Sequence, residues 1–355
     1  MAMRVLVIGG TRYFGKLVVQ KFLSRGDEVS VLSRGNSQPD FWNNITHIEV
    51  DRDDAEAMAA ALGKDEFDLV IDNIGFERSS VEISADLLRG RVGKYVVTSS
   101  VSVYGGIGHS ETPWQKITPE NHYLHHFTEP GIAHPIAEDS IELSKVEWEL
   151  RAGINPYSEQ KRQIERYLSE TTELPFVVLR APIVIGPSEY AGRFWWYLQR
   201  VLDGRGMALR NNGRAEIRLG FTEDIAEAIV AAALSNNTSG KTYNIGQTEL
   251  LTLKSFVEKI GESCSVEPRI AGVSDDAVKR YPEIPWSDWR YEPFAWPFDV
   301  AMSIDRAEAD FGLSSAPVAQ RIRETIDWHM SADLKDSYGY EYRDIEAELF
   351  KVSAQ

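Results

Sequence analysis

The chain has 355 residues, of which 43% are hydrophobic, so it can bury the core of one large or two modest domains. Its formal charge of −16 argues against a nucleic-acid backbone or an anionic membrane as a general partner, because both would repel such a surface. The single cysteine, Cys264, excludes an intramolecular disulfide and a cysteine-based zinc site. No segment is apolar over the length of a bilayer, and Met1 to Arg4 leads directly into a strand pattern, so we expect a cytoplasmic protein.

The first predicted element is a short apolar strand, Arg4 to Ile8, which runs into a glycine turn. Gly9 and Gly15 bound this turn, and a helix with apolar residues at helical spacing follows from Tyr13 to Arg25. A strand, a glycine turn and a helix direct several backbone N–H groups and the positive end of the helix dipole at one point, where a pyrophosphate can bind. This order is typical of dinucleotide-binding proteins; a tight turn that binds no ligand is the alternative.

The second and third predicted strands supply candidate contacts to the adenosine end of a dinucleotide. Glu28 to Leu32 is followed by Arg34, and no acid that could accept from the 2′-OH of NAD follows this strand. Arg34 therefore favours the 2′-phosphate of NADP; an arginine solvated at a loop edge is the alternative. Ile45 to Val50 ends at Asp51 and Arg52, and Asp51 should lie near the adenine.

Two further strands are predicted from Phe67 to Ile71 and from Lys94 to Val97, with a helix from Ser79 to Leu88 between them. The segment Asn73-Ile74-Gly75 follows the first of these strands, where the chain should pass over the cofactor. Regular alternation of strand and helix predicts an α/β fold with a doubly wound parallel sheet.

The next predicted strand leads into a serine-rich segment that includes Ser100, and Tyr157 and Lys161 stand one turn apart at the start of a later helix. An ammonium near a phenol favours the phenolate, so that Tyr157 can exchange a proton with a substrate hydroxyl or carbonyl near neutral pH. A hydroxyl from Ser100 would hydrogen-bond the same oxygen, and a nicotinamide would transfer the hydride. Taken alone, a tyrosine four residues before a lysine is more often ordinary helix surface.

Taken together, these motifs resemble the extended short-chain dehydrogenase/reductases, the NAD-dependent epimerase/dehydratase family. The resemblance rests on the glycine turn, Ser99 to Gly105, the Tyr157 and Lys161 pair and Arg180 to Pro187, with a weaker match at Arg218 to Ala226. One departure is Arg12, which takes the place of the usual central glycine. That version occurs in a sub-branch that includes chloroplast RNA-binding proteins.

The resemblance implies roles for individual residues. Tyr157 is the expected catalytic acid/base, Lys161 is its pKa-lowering partner and ribose contact, and Ser100 is the hydroxyl that orients the substrate. The predicted cofactor-binding set also contains residues of the turn, of the strand ends and of the post-strand motif: Gly9, Thr11, Arg12, Tyr13, Phe14, Gly15, Arg34, Asp51, Arg52, Asn73, Ile74, Gly75, Thr98, Pro182, Ile183 and Val184. The predicted substrate-binding set is Ser100, Ser102, Tyr104, Arg193, Trp196 and Arg218.

The predicted domains are a dinucleotide-binding domain at 1–187 and a smaller mixed α/β region at 188–331 that binds substrate, with some segments returning to the first domain. A tail at 332–355 either packs as an arm or is partly disordered. The first domain carries a long insertion at 105–153 with the cluster His122 to His126, which we interpret as a substrate-covering loop or an oligomer contact rather than a metal site. Trp195 to Tyr197 favours core or lid packing over a stacking platform, and Tyr281 to Phe298 is typical of a rigid aromatic flap.

The motifs predict an NAD(P)-dependent oxidoreductase or epimerase that acts on a hydroxyl or carbonyl of a nucleotide sugar or related polyhydroxylated small molecule. Dehydration is less favoured, because Val101 and Ser102 follow the catalytic serine in place of carboxylates. The competing hypothesis is a non-catalytic, cofactor-sensing or RNA-associated protein on the same fold. A homodimer is expected only from the family resemblance.

Overall fold

A parallel sheet of seven strands forms the centre of the molecule. The computed structural model describes residues 2–104, 135–141, 156–171, 173–286, 290–294 and 301–354, so the predicted histidine cluster lies outside the described residues. The strands, numbered along the chain, are β1 Arg4–Ile8, β2 Glu28–Ser33, β3 Thr46–Glu49, β4 Phe67–Asp72, β5 Val92–Ser100, β6 Phe176–Ala181, β7 Val184–Ile185, β8 Met207–Arg210, β9 Glu216–Ile217, β10 Gly220–Phe221, β11 Lys241–Asn244, β12 Leu251–Thr252 and β13 Ile270–Val273.

The strand order of the large sheet is β11-β6-β5-β4-β1-β2-β3, and every neighbouring pair is parallel. The chain winds outward from β1 in one direction through β2 and β3, and in the other through β4, β5 and β6. The order therefore reverses between β1 and β4, where open α/β sheets form a crevice that binds ligands. The predicted doubly wound parallel sheet is confirmed.

Helices cover both faces of this sheet, which explains why its strands are apolar without alternation. Within β1, Val5 and Val7 pack into the core on one face, and Leu6 and Ile8 pack into the core on the other. The helices are α1 Tyr13–Ser24, α2 Ala55–Leu62, α3 Arg78–Leu88, α4 Pro156–Glu170, α5 Arg193–Asp203, α6 Thr222–Leu234, α7 Leu253–Cys264, α8 Asp275–Arg280, α9 Asp305–Phe311, α10 Val318–Ser331 and α11 Arg343–Ser353. Among the described helices, none combines the length and the hydropathy needed to cross a bilayer.

A third apolar cluster is built mainly from residues beyond β7, in α5, α7, α10, α11 and the short strands between them. The tail packs into this cluster, because Leu349 and Phe350 of α11 are buried and Glu346 pairs with Arg200 of α5. The aromatic segment after Tyr281 also packs inward: Tyr291 and Phe294 are buried in the same cluster. The described part of that segment consists of turns and loop, as predicted, and its buried aromatic rings belong to this apolar cluster.

Candidate active site

The predicted catalytic and cofactor-binding residues follow the carboxyl ends of neighbouring strands. Ile8 of β1 lies opposite Asp72 of β4, and Ser100 of β5 lies opposite Ala181 of β6. The glycine turn begins directly after Ile8. Parallel strands thus bring the turn, the Asn73 loop, Ser100 and the post-strand segment to one edge of the sheet, although they are far apart in sequence.

The glycine turn is packed too tightly for side chains. Gly9 has a φ of +82°, and a Cβ added to Gly15 would lie 2.3 Å from the carbonyl oxygen of Gly9. Glycine at both positions lets the strand end and the first turn of α1 approach each other, which exposes backbone N–H groups at the start of the helix.

Tyr13, the first residue of α1, holds this turn in a conformation that side chains rarely adopt. Its φ is +54°, and for a residue with a Cβ a left-handed conformation costs about 1–2 kcal/mol. Its hydroxyl donates a hydrogen bond of 2.6 Å to the carbonyl of Val184. The strained residue therefore ties the turn to the post-strand segment, and both were predicted to contact the cofactor.

The amide of Asn73 provides a test of whether a dinucleotide fits. Asn73 is buried, and its Oδ1 accepts from Thr98 at 3.0 Å, but its Nδ2 has no hydrogen-bond partner among the described residues. The same Nδ2 is 3.3 Å from the position that a Cβ on Gly15 would occupy, so it lies over the glycine turn. A buried donor above a cradle of backbone N–H groups matches a ligand with several acceptor oxygens, such as a pyrophosphate.

Ser100, Tyr157 and Lys161 are brought together at the same edge. Ser100 hydrogen-bonds to the phenol of Tyr157, which lies in the first turn of α4 and is 39% exposed. Lys161 is buried one turn later, and its Nζ donates to the carbonyls of Gly75 and Thr98 at 2.7 and 2.8 Å. The Nζ is 5.5 Å from the centroid of the Tyr157 ring.

Burial acts on both ionisable groups of this pair. It lowers the pKa of Lys161 to about 8, against the opposing effects of Asp72 and Glu165, and Arg52 lowers it further. Loss of water around the phenol raises the pKa of Tyr157, while the hydrogen bond from Ser100 and the charge of Arg193 lower it. The sequence-based prediction that the pKa of Tyr157 is lowered is therefore wrong, because burial of the phenol has a larger effect than the nearby charges.

A buried polar network supports the strand ends from behind. Arg180 forms an ion pair with Glu165 of α4 at 2.7 Å, and Ser99 donates to the same carboxylate at 2.5 Å. Arg180 also donates to the hydroxyl of Tyr104 at 2.7 Å, and Tyr104 donates to Asn244 at 2.6 Å. This network fixes α4 against β5 and β6, and with it the positions of Tyr157 and Ser100.

Three residues that were predicted to bind substrate are buried and contact other parts of the protein. Tyr104 is 3% exposed and its hydroxyl is used within the network just described. Trp196 is 2% exposed, and the guanidinium of Arg200 lies 3.7 Å from the centroid of its ring. Arg218 is buried and donates to the carbonyls of Met302, Gln247 and Thr248. All three support the fold around the site, and their burial disfavours direct contact with a substrate.

The remaining predicted residues divide between open and occupied positions. Arg12, Arg34 and Asp51 are exposed near the carboxyl edge of the sheet. Arg193 pairs with the buried Glu189, which also accepts from two N–H groups at the start of α5. Arg52 differs, because it is buried and both of its terminal nitrogens bind Asp72, which disfavours the predicted direct contact with a cofactor.

Two aromatic residues beside the site were not predicted. The ring of Phe76 is half exposed and lies 5.3 Å from the Nζ of Lys161 and 6.4 Å from the ring of Tyr157. Tyr190 is largely exposed, with its ring 5.8 Å from that of Tyr13. Phe76 directly follows a predicted cofactor segment, and Tyr190 lies in the loop after another; an aromatic side chain close to such a segment is the sequence signal that could have identified them.

Comparison with protein-family models matches residues 5–246 to the NAD-dependent epimerase/dehydratase family. The chain belongs to this family. The resemblance drawn from the glycine turn, the serines and the tyrosine–lysine pair is confirmed.

Solved structures of epimerases share the fold over nearly the whole chain. UDP-glucose 4-epimerase of Thermotoga maritima, solved with UDP-glucose, has a TM-score of 0.66 and 16% identity and covers 92% of this chain and 99% of its own. The enzyme WbmH of Bordetella bronchiseptica, solved with NAD+, has the same TM-score and identity and covers 94% and 100%. UDP-glucose 4-epimerase of Thermus thermophilus, solved with NAD, has a TM-score of 0.61 and 21% identity and covers 93% and 100%. At these identities the likeness concerns the fold alone.

One curated relative has a different kind of name. The chloroplast stem-loop binding protein of 41 kDa b of Arabidopsis thaliana is 23% identical over 263 residues. The match covers 70% of this chain and 60% of that protein, so this chain spans about three fifths of the relative's length.

The tight turn of this family member leads to a first prediction. Gly15→Ala should weaken binding of NAD or NADP at least about tenfold, because the new Cβ would force the turn away from Gly9. Gly26→Ala is the control: its φ is +83° but its Cβ would meet nothing within 4 Å, so it should lose about 1 kcal/mol of stability and keep its cofactor affinity. Equal affinities in titrations of both variants would contradict the role of the turn.

The buried lysine leads to a second prediction. Its pKa of about 8 lies below the value of roughly 10.4 for an unfolded chain, so the native state loses this proton first as the pH rises. The burial cost of the ammonium is present in full below pH 8 and disappears as the pH rises toward roughly 10.4. In this window the free energy of unfolding of the wild type should rise relative to Lys161→Met by up to roughly 1.4 kcal/mol per pH unit. Urea unfolding at several pH values measures the difference, and a constant difference would disprove the shift.

Proposed function

We propose that this enzyme oxidises and reduces a hydroxyl or carbonyl group of a nucleotide sugar or a related polyhydroxylated small molecule, by epimerisation or reduction, with Tyr157 as the acid/base. The observation that carries the proposal is the hydrogen bond between Ser100 and a partly exposed Tyr157, beside a glycine turn that fits a dinucleotide. A bound nicotinamide would supply the hydride acceptor and donor.

Different side chains of the protein then orient the substrate oxygen and transfer its proton. Ser100 orients that oxygen, because its hydroxyl already lies within hydrogen-bond reach of the phenol. In its ionised form Tyr157 takes the proton when the hydroxyl is oxidised, and in its neutral form it returns the proton when the carbonyl is reduced. Arg193 is the nearby cation that favours the ionised phenol, and Lys161 holds the loop beside it through Gly75.

The substrate class is supported by a relative and by the residues after Ser100. The epimerase of Thermotoga maritima was solved with UDP-glucose, so a nucleotide sugar is a reasonable occupant of the same fold. Val101 is buried and Ser102 carries a hydroxyl, so neither residue supplies the carboxylate that dehydration would want next to the serine. Epimerisation and reduction therefore remain ahead of dehydration.

The preference for NADP over NAD belongs to the same proposal. Arg34 is exposed after β2, where a 2′-phosphate would lie. Glu49 has the opposite effect, because its carboxylate would repel a 2′-phosphate bound here. This carboxylate lies 3.4 Å from the position that a Cβ on Gly35, the residue after Arg34, would occupy. The opposing charges of Arg34 and Glu49 therefore set the preference between NADP and NAD.

RNA association is the second candidate function, favoured by the name of the chloroplast relative. The formal charge of −16 weighs against it, because a phosphate backbone is repelled by an acidic surface. RNA binding that survives at physiological salt, together with no turnover on any nucleotide sugar, would favour this second candidate.

Removal of the phenol tests the catalytic role directly. Tyr157→Phe keeps the ring but loses the hydroxyl, so turnover of the best substrate from a panel of nucleotide sugars should fall by about 10²–10⁴-fold. Cofactor affinity should change little. Tyr167→Phe is the matched control on the same helix, since its hydroxyl bonds Asp86 away from the site. Undiminished turnover in Tyr157→Phe would end the proposal.

Substitutions of Arg34 and Glu49 test the preference between NADP and NAD. Arg34→Ala should lower NADP(H) affinity by about tenfold and leave NAD(H) affinity nearly unchanged, because only the 2′-phosphate carries the additional charge. Glu49→Gln should raise the affinity for NADP(H), because it removes a negative charge near the 2′-phosphate. The measurement is the ratio of the two dissociation constants for each variant; a ratio unaffected by Arg34→Ala would refute the NADP preference.

A further inference from the structure

A buried ion pair joins the ends of β3 and β4 below the cofactor edge. Arg52 follows β3, and Asp72 is the last residue of β4; Nη1 meets Oδ1 at 2.7 Å and Nη2 meets Oδ2 at 2.8 Å. Arg52 is 7% exposed and Asp72 is fully buried. The two side chains form the parallel pair of bonds that only arginine can make with a carboxylate.

Other groups bond to the pair and connect it to two more elements. The hydroxyl of Tyr95 on β5 donates to Oδ2 of Asp72 at 2.7 Å, and the backbone N–H of Ile74 donates to Oδ1 at 3.1 Å. Arg52 also donates to the carbonyl of Ser80 and the hydroxyl of Ser84, both on α3. The pair therefore joins β4, β5, α3 and the segment after β3 at one point.

The two segments that the pair fixes face opposite ends of the predicted cofactor site. Asp51, expected near the adenine, precedes Arg52, and the next residue, Asp53, accepts from the hydroxyl of Ser80 at 2.5 Å. On the other side, Asp72 leads into the loop that places the amide of Asn73 over the glycine turn. The same loop supplies the carbonyl of Gly75 to Lys161.

Stability alone is a weak reason for this arrangement. Removing two charges from water costs about as much as their attraction returns, and well-packed apolar residues often replace a buried ion pair without loss of stability. What an apolar pair would not provide is a fixed direction for the two loops, because the parallel bonds define the angle between donor and acceptor groups.

We propose that the Arg52–Asp72 pair is a positioning device that holds the Asp51 segment and the 73–76 loop at a fixed separation, so that the dinucleotide meets a preformed surface. This extends the proposed function and rests on it only in requiring that the protein bind a nicotinamide dinucleotide. Neither side chain contacts the cofactor; both act through the loops that they hold.

The charged groups around Lys161 provide an independent readout. Asp72 from β4 and Glu165 from α4 favour the charged ammonium, whereas Arg52 opposes it, and the Tyr157 phenol lies on the remaining side. Arg52→Met should therefore raise the pKa of Lys161, and Asp72→Asn should lower it further. These shifts follow from the charges alone, so they show that each variant keeps a native-like site, and the cofactor affinities decide whether the pair positions the loops.

The test compares this pair with another buried pair of the same chemistry. Arg200 and Glu346 join α5 to α11 with bonds of 2.7 and 2.9 Å, and they are as well buried as Arg52 and Asp72. Binding of NAD(H) and NADP(H) is titrated for Arg52→Met, Asp72→Asn and Arg200→Met, each well below its own Tm. We expect affinity to fall at least about tenfold in the first two variants and less than about twofold in Arg200→Met, with Tm lowered in all three.

Three outcomes overturn the proposal, and the first two are separate from failure of the proposed function. Wild-type affinity in folded Arg52→Met and Asp72→Asn would show that the pair only stabilises the fold. Should these variants fail to fold, Arg52→Lys keeps the charge without the parallel bonds, and wild-type affinity in that variant also overturns the proposal. If the wild-type protein binds no dinucleotide, the proposed function fails and this inference fails with it.

Discussion

The hydrogen bonds from the buried ammonium of Lys161 to Gly75 and Thr98 are the contacts on which the site depends. They connect α4 to the loop after β4 and to the end of β5, so three elements that are distant in sequence share one donor. Little water reaches the ammonium, and the two backbone carbonyls replace part of its hydration. Displacement of either carbonyl would leave the buried ammonium with only one of these two acceptors, and for that reason Tyr157, one turn earlier, has a defined position.

The architecture could be predicted from the sequence because it depends on local patterns. The apolar run of β1, the glycine turn and the helical spacing of α1 are each visible within about ten residues. β5 is longer than predicted, because its polar end from Thr98 to Ser100 still pairs with β6. Pairing with a neighbouring strand, rather than apolar content, sets the end of that strand.

The details of the site could be predicted less well, because they depend on partners far apart in sequence. Arg52 and Tyr104 have the composition and position of ligand contacts, yet Asp72 and Asn244 engage them in the interior. The polar helix α4 suggested an exposed face, but Arg162 and Glu165 on it are buried and bonded to neighbouring segments. No local periodicity distinguishes a charged residue that meets solvent from one that meets a hidden counter-charge.

The position of α11 within the chain has a consequence for the order of folding. The strands from β1 to β5 all lie within the first hundred residues, and even the distant pair of β1 and β4 lies within that stretch, so this part can assemble before the rest of the chain is made. The cluster around α5 needs Leu349 and Glu346, which emerge from the ribosome about 150 residues later at roughly 5–20 residues per second. The half that binds the cofactor should therefore be assembled on the ribosome while the other half still exposes apolar surface, a period in which chaperones would be most useful.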